Sequence, residues 1–305
     1  MLFASTFTLG KLALNYCQPI FFTAIRMLLG GFLLLGYEYI FNRAQFKIQG
    51  SDYHKYLKLI LFHVFFAFNL EFWALQYVSG AKACLIYNLS PFITALYAYH
   101  ILKEKLHKPQ VVGLIIGFAG FLPILLASAP TEEFAGSLGS ISLPEVALLF
   151  AVISSAFGWI IFKDFMKSGY SFVMVNGIAM FSGGFLSLIT AFILEDRPYF
   201  KWPITQDWLS AWLSHTFNFY SPLVFFLIYA GLLILIANVI CYNLYGSLLK
   251  RYSPTFLSFA GFTCPLFAAL YDWLFIGQLI GWPFVVSFMI VCLGLYVFYL
   301  YEPRK

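Results

Sequence analysis

Apolar runs about 20 residues long, separated by short polar turns, recur along the whole of this 305-residue chain. About 20 apolar residues suffice for a helix to cross a bilayer, so each run predicts a transmembrane helix. The predicted spans are 20–41, 59–78, 81–102, 109–127, 144–162, 172–194, 222–249, 252–276 and 280–301. Ahead of them, residues 1–15 form a shorter apolar stretch that ends at the Cys17-Gln18-Pro19 turn. It is too short to span and lacks the basic flank and small-residue cleavage site of a signal peptide. The expectation is a first helix whose true start lies upstream. None of the runs alternates with the two-residue period of a barrel strand.

The pattern repeats. Shifted by 174 positions, Pro91 falls on Pro265, Ala95-Leu96-Tyr97 on Ala269-Leu270-Tyr271, and Gly120 on Gly294. Shifted by 153, Gly30-Gly31-Phe32-Leu33 falls on Gly183-Gly184-Phe185-Leu186. The difference of 21 residues fits an insertion within the Trp-rich stretch 195–221. The chain therefore divides into a first five-helix repeat (1–127), an acidic Ser/Gly/Pro-containing linker (128–143) and a second five-helix repeat (144–301). Because five is odd, the two copies face opposite ways. Inverted repeats are a recurrent architecture of secondary transporters, with a site near the midplane and access from both sides.

Composition strengthens this reading. Charged residues make up 10% of the chain and hydrophobic ones 62%, where a soluble domain carries about 25% charged residues. Mean hydropathy is +0.85. The fold expected is an all-α membrane protein of ten transmembrane helices in two inverted five-helix repeats, the first helix truncated. The net charge of +5 is read by side of the membrane rather than as a signal for nucleic acid. Thirteen of the 18 Lys and Arg residues fall in loops 42–58, 103–108, 163–171 and 250–251 and at the C-terminus. Only Lys82, Arg197 and Lys201 fall on the opposite side. The positive-inside rule then puts both termini in the cytoplasm and the linker outside. Five scattered cysteines show no metal-ligand or disulfide spacing. No phosphate loop, paired-Asp or His-Glu-x-x-His motif is present, so neither ATP as driver nor a membrane-embedded transferase or hydrolase is expected, and no cofactor is called for.

Several motifs together resemble the EamA-type drug/metabolite transporter superfamily. They are Pro19 and Arg26 opening the second span, Ser90-Pro91 in the fourth, and Leu102-Lys103-Glu104-Lys105-Leu106 followed by Gln110, Gly113 and Gly120. The resemblance covers essentially the whole chain and implies a central cavity and alternating access without ATP. Gln278 stands where the repeat of Glu104 would fall, which makes the two hinges unequal. Within the superfamily, Phe68-Asn69-Leu70-Glu71-Phe72-Trp73-Ala74-Leu75-Gln76-Tyr77 and Ala81-Lys82-Ala83-Cys84 resemble the S-adenosylmethionine transporters of intracellular bacteria. That resemblance implies a secondary transporter in a bacterial inner membrane, moving S-adenosylmethionine and exchanging it for S-adenosylhomocysteine. Amino acids or nucleotide sugars are the alternative substrates.

Charged groups inside spans are costly and default to functional candidates. Glu71 has two readings: a receptor for a substrate ammonium, sulfonium or coupling proton, or a structural ion pair with Lys11 or Lys82. Lys82 and Lys11 either hold a substrate carboxylate or snorkel to the interface. Trp73, Tyr87 and Trp159 are candidate aromatic surfaces for a ring or a cation. Among 37 Phe, 20 Tyr and 7 Trp, no single aromatic is decisive. Asn88, Asn176 and Asn243 either bind substrate or make interhelical hydrogen bonds. Arg26 is read as a structural pairing with a neighbouring helix or an external latch, and Glu104 as a cytoplasmic latch or a solvated turn. Pro91 and Pro265 are expected to kink matching helices and act as gates. On that reading Pro91→Ala slows transport by reconstituted protein, and an unchanged rate removes Pro91 as a gate.

Overall fold

A backbone in lipid must satisfy its own hydrogen bonds, and helices do so. The structure, a computed structural model, describes residues 2–43, 46, 52–78, 83, 86–120, 142–196, 200, 222–264, 266–267 and 282–301. These are helical throughout apart from their turns and one isolated bridge, between Cys17 and Phe200. In chain order the helices are α1 (Leu2–Leu14) and α2 (Pro19–Phe41), then α3 (Tyr53–Ala74) and α4 (Ser90–Tyr97, extended by Ala98–Leu102). They continue as α5 (Lys108–Ala119), α6 (Leu143–Lys167), α7 (Phe172–Leu194), α8 (Leu223–Leu249), α9 (Pro254–Ala260) and α10 (Trp282–Leu300). Among the described residues α2, α3, α6, α7 and α8 are long and apolar enough to cross a membrane. Their outward positions carry large apolar side chains, such as Phe32, Ile40, Phe150 and Ile193.

α3 and α8 share a local feature. Each contains a π-type segment, Leu59–Phe66 in one and Ile234–Cys241 in the other, which the duplication places within one residue of each other. Such segments often mark functional sites. Here each immediately precedes side chains that face the central cavity described below.

Glycines set how closely the helices approach. A Cβ on Gly31 would lie 2.5 Å from the backbone nitrogen of Phe181, and one on Gly184 would lie 2.7 Å from that of Leu28. Positions 28 and 181, like 31 and 184, are equivalents under the 153-residue shift. The contact is thus reciprocal, and the partner number falls as the α2 number rises, so α2 and α7 run antiparallel. α5 and α10 meet in the same manner, Gly113 and Gly117 against Gly294, and Gly120 against Val291. With little hydrophobic driving force between helices in lipid, backbone approach of this kind supplies the packing.

Polar ties close the ends of the bundle. At one end Glu195, just past α7, accepts the backbone N–H groups of Ile20 and Phe21 at 2.6 and 2.8 Å, placing an anion on the positive end of α2. At the end bearing the basic loops, α6 runs to Lys167, beyond the stop at 162 that its hydropathy predicts. Lys163 is thereby buried, and its ammonium donates to the carbonyls of Leu249 and Tyr252 at the end of α8. Nearby Lys167 faces Glu104 at 3.8 Å, and Lys55 pairs with Asp164 at 2.8 Å.

The expected kink at Pro91 takes a different form. Pro91 lies in the first turn of α4, where a missing N–H costs no helical bond. The interruption is the turn at Asn88-Leu89 ahead of it. Pro265 lies outside the described residues, as do Ser79–Lys82, the linker core 121–141 and residues 201–221.

Gly31→Ala is expected to cost about 1–3 kcal/mol through forced separation of α2 and α7. Gly36→Ala, with nothing within 4 Å of its Cβ, is expected to be neutral or to stabilise by up to about 1 kcal/mol. Thermal unfolding of both variants in detergent checks the contrast.

Candidate functional site: a central cavity with a charged and an aromatic wall

A cavity of about 510 Å³ opens between the helices of both halves. From the first half come Thr6, Arg26, Ala67, Phe68, Glu71, Phe72, Tyr87, Asn88 and Ser90; from the second, Ser155, Trp159, Cys241, Tyr242, Tyr245 and Ser258, among others.

The first-half wall holds charge. Glu71, one turn before the end of α3, accepts a hydrogen bond from the Tyr87 hydroxyl at 2.6 Å. Arg26 is 2% exposed on α2. Its guanidinium lies over the rings of Phe72 and Phe68, 4.6 and 4.7 Å from their centroids. Contacts of this type contribute about 0.5–2 kcal/mol each. Arg26 Nε and Nη2 have no hydrogen-bond partner among the described residues, and neither does Asn88 Nδ2. A buried, incompletely satisfied guanidinium is expensive, and such groups in spans mark functional sites.

The second-half lining is aromatic and meets the first where the Tyr242 ring centroid lies 5.9 Å from that of Phe68. Trp159 on α6 packs against Tyr245 and Tyr242 on α8, with ring centroids 4.0 and 5.2 Å apart and planes within about 32° of parallel. His63 stands edge-on to Trp159 behind it, at 4.6 Å. Ser90 and Ser258, both in the lining, share a hydrogen bond of 2.8 Å, joining α4 to α9.

Of the residues singled out from sequence, the cavity gathers Glu71, Tyr87, Asn88, Trp159 and Arg26. Trp73 packs on Tyr77 instead, at 5.3 Å. Asn243 donates to the Val239 carbonyl of its own helix at 2.6 Å, and Asn176 is buried in α7 away from the cavity wall. Glu104 lines a separate cleft at the basic end of the bundle, with Lys105, Lys163 and Arg251. Lys82 and the side chain of Lys11 lie outside the described residues. Sequence reasoning missed Tyr242 and Tyr245, although a signal for them existed. The 174-residue shift that aligns the repeats carries Phe68 onto Tyr242 and Glu71 onto Tyr245.

The EamA-like transporter family profile matches residues 1–126 and 143–300. The chain belongs to the EamA-like transporter family. It is therefore an integral membrane transporter and not an enzyme. It is 32% identical over 297 residues to a Chlamydia muridarum protein named as an S-adenosylmethionine/S-adenosylhomocysteine transporter, covering 95% of this chain and 86% of that one. A like-named protein of Chlamydia trachomatis serovar L2 is also 32% identical, covering 95% and 84%. A solved crystal structure, 17% identical, superposes with a TM-score of 0.69 over 98% of this chain and 95% of the other, a likeness of fold.

Removing the hydroxyl in Tyr87→Phe leaves Glu71 without its hydrogen bond. Bonds to charged groups are worth about 1.5–3 kcal/mol, so substrate affinity is expected to fall by about tenfold and thermal stability to fall with it. Equilibrium binding to purified protein checks this.

Proposed function

We propose that this transporter exchanges S-adenosylmethionine for S-adenosylhomocysteine across a bacterial inner membrane by alternating access, without ATP. The observation that carries the proposal is one cavity holding a cation and an anion on one wall and stacked aromatic rings on the other. The ligand pair matches it in kind, with an amino-acid head at one end and a flat purine at the other. The names of the relatives support the same substrates.

Ten spans in two inverted five-helix repeats, residues 1–127 and 144–301 joined by an external linker at 128–143, belong to this proposal. The reciprocal antiparallel crossings of α2 with α7 and of α5 with α10 support it, because a two-fold axis lying in the membrane plane relates helices in that sense. Both termini then face the cytoplasm, in keeping with the basic loops. Glu71, Tyr87, Asn88 and Trp159 act as substrate contacts, with Lys11 and Lys82 as further cationic ones. The Glu104–Lys167 pair and the Lys163 tie to α8 form the cytoplasmic latch.

Purified protein in liposomes preloaded with S-adenosylhomocysteine is expected to take up labelled S-adenosylmethionine with no ion gradient or nucleotide present. Glu71→Gln is expected to lower that uptake by about tenfold or more, as loss of a charged partner in a buried site does. Equal uptake into empty liposomes overturns exchange; no uptake into loaded ones overturns the substrate.

A further inference from the structure

We infer that Arg26 is the receptor for the substrate carboxylate, and that the substrate lies lengthwise between a charged pole supplied by the first repeat and an aromatic pole supplied by the second. The inference rests on the transport reading above and extends it to the atoms of the ligand.

The cavity is lined at duplicated positions that have diverged. Ala67, Phe68 and Glu71 on α3 correspond to Cys241, Tyr242 and Tyr245 on α8, and Thr6 on α1 corresponds to Trp159 on α6; all of them face the same space. Where the first repeat presents an anion, the second presents a phenol ring. Where the second presents an indole, the first presents a small hydroxyl. The position equivalent to Arg26 is Ala179, buried in α7 outside the cavity wall. Because α2 and α7 run antiparallel, equivalent positions on them lie at opposite depths, and divergence between the copies becomes polarity along the cavity.

Arg26 suits one task at the charged pole. Phe68 and Phe72 cover its guanidinium at 4.7 and 4.6 Å and hold it in place. Nε and Nη2, on one edge of the plane, have no hydrogen-bond partner among the described residues, although the side chain is 98% buried. Two adjacent N–H donors on a fixed plane are the fork that receives a carboxylate in bidentate fashion. Glu71, set by Tyr87 on the same wall, is then the partner of the neighbouring ammonium. An amino acid's head group presents these two charges one carbon apart.

The test compares two ligands on two proteins: S-adenosylhomocysteine and the same thioether lacking only its carboxylate, on wild type and Arg26→Gln in lipid nanodiscs, by calorimetry. Removing the carboxylate is expected to weaken binding to wild type about tenfold or more, the scale of a buried charged hydrogen bond. It is expected to change binding to Arg26→Gln less than twofold. Wild type that ignores the carboxylate, or a variant that discriminates as wild type does, overturns the assignment of Arg26 while leaving the transport reading intact. Binding of neither ligand by wild type overturns the transport reading and this assignment with it. If Arg26→Gln does not fold, Arg26→Lys keeps the charge and loses the fork. It is then expected to lose at least fivefold for the carboxylate ligand only, and equal loss for both ligands overturns the assignment.

Discussion

Two backbones touching at Gly31 and Gly184 fix how the halves of this protein meet. In lipid, helices are not squeezed together by water, so the separation at which they settle depends on what lies between them. With no side chain there, α2 and α7 close to backbone contact, and their neighbours are placed accordingly. α3 joins the pair through the buried Asn69–Ser187 hydrogen bond of 2.8 Å. Asn238 of α8 reaches in beside Gly30, its amide 3.3 Å from the Met27 sulfur and 3.5 Å from that of Met180. Arg26 lies between Gly31 and the N-terminus of α2 and Glu71 near the end of α3, so both charges stand where this crossing puts them.

Much of that framework is legible in the sequence because it rests on length and repetition. A run of about 20 apolar residues has few alternatives in a chain with so little charge, and the Gly-Gly-Phe-Leu repeat reveals the duplication. The repeat alone does not reveal that its two copies touch each other. Equivalence follows from pattern, whereas contact depends on which faces are turned inward. Helix ends were less legible for a related reason. Lys163 looks like the start of a loop by hydropathy, but its ammonium finds carbonyls at the end of α8 and the helix continues around it.

The site divided along the same line. Glu71 stands out in sequence because a carboxylate in an apolar run demands a reason. Tyr242 and Tyr245 do not, because in a chain so rich in Phe and Tyr an aromatic residue draws no notice until the fold gives it a direction. Pro91 misleads in the opposite sense. A proline in an apolar run implies a kink, yet the helix begins afresh there, so the ring costs nothing and the turn ahead of it makes the break.

The placement of Arg26 and Glu71 in one cavity also has an electrical side. A fixed cation and a fixed anion on the same wall nearly cancel, so on the alternating-access reading proposed above the empty site carries little charge of its own. The charge moved is then the cargo's. A sulfonium carries one positive charge more than the thioether left after its methyl group is given up, so the one-for-one exchange proposed above would transfer one elementary charge per cycle. A membrane potential acts on that charge with about 2.3 kcal/mol for each 100 mV. On the proposed exchange, an inside-negative potential favours entry of the charged methyl donor and exit of its uncharged product.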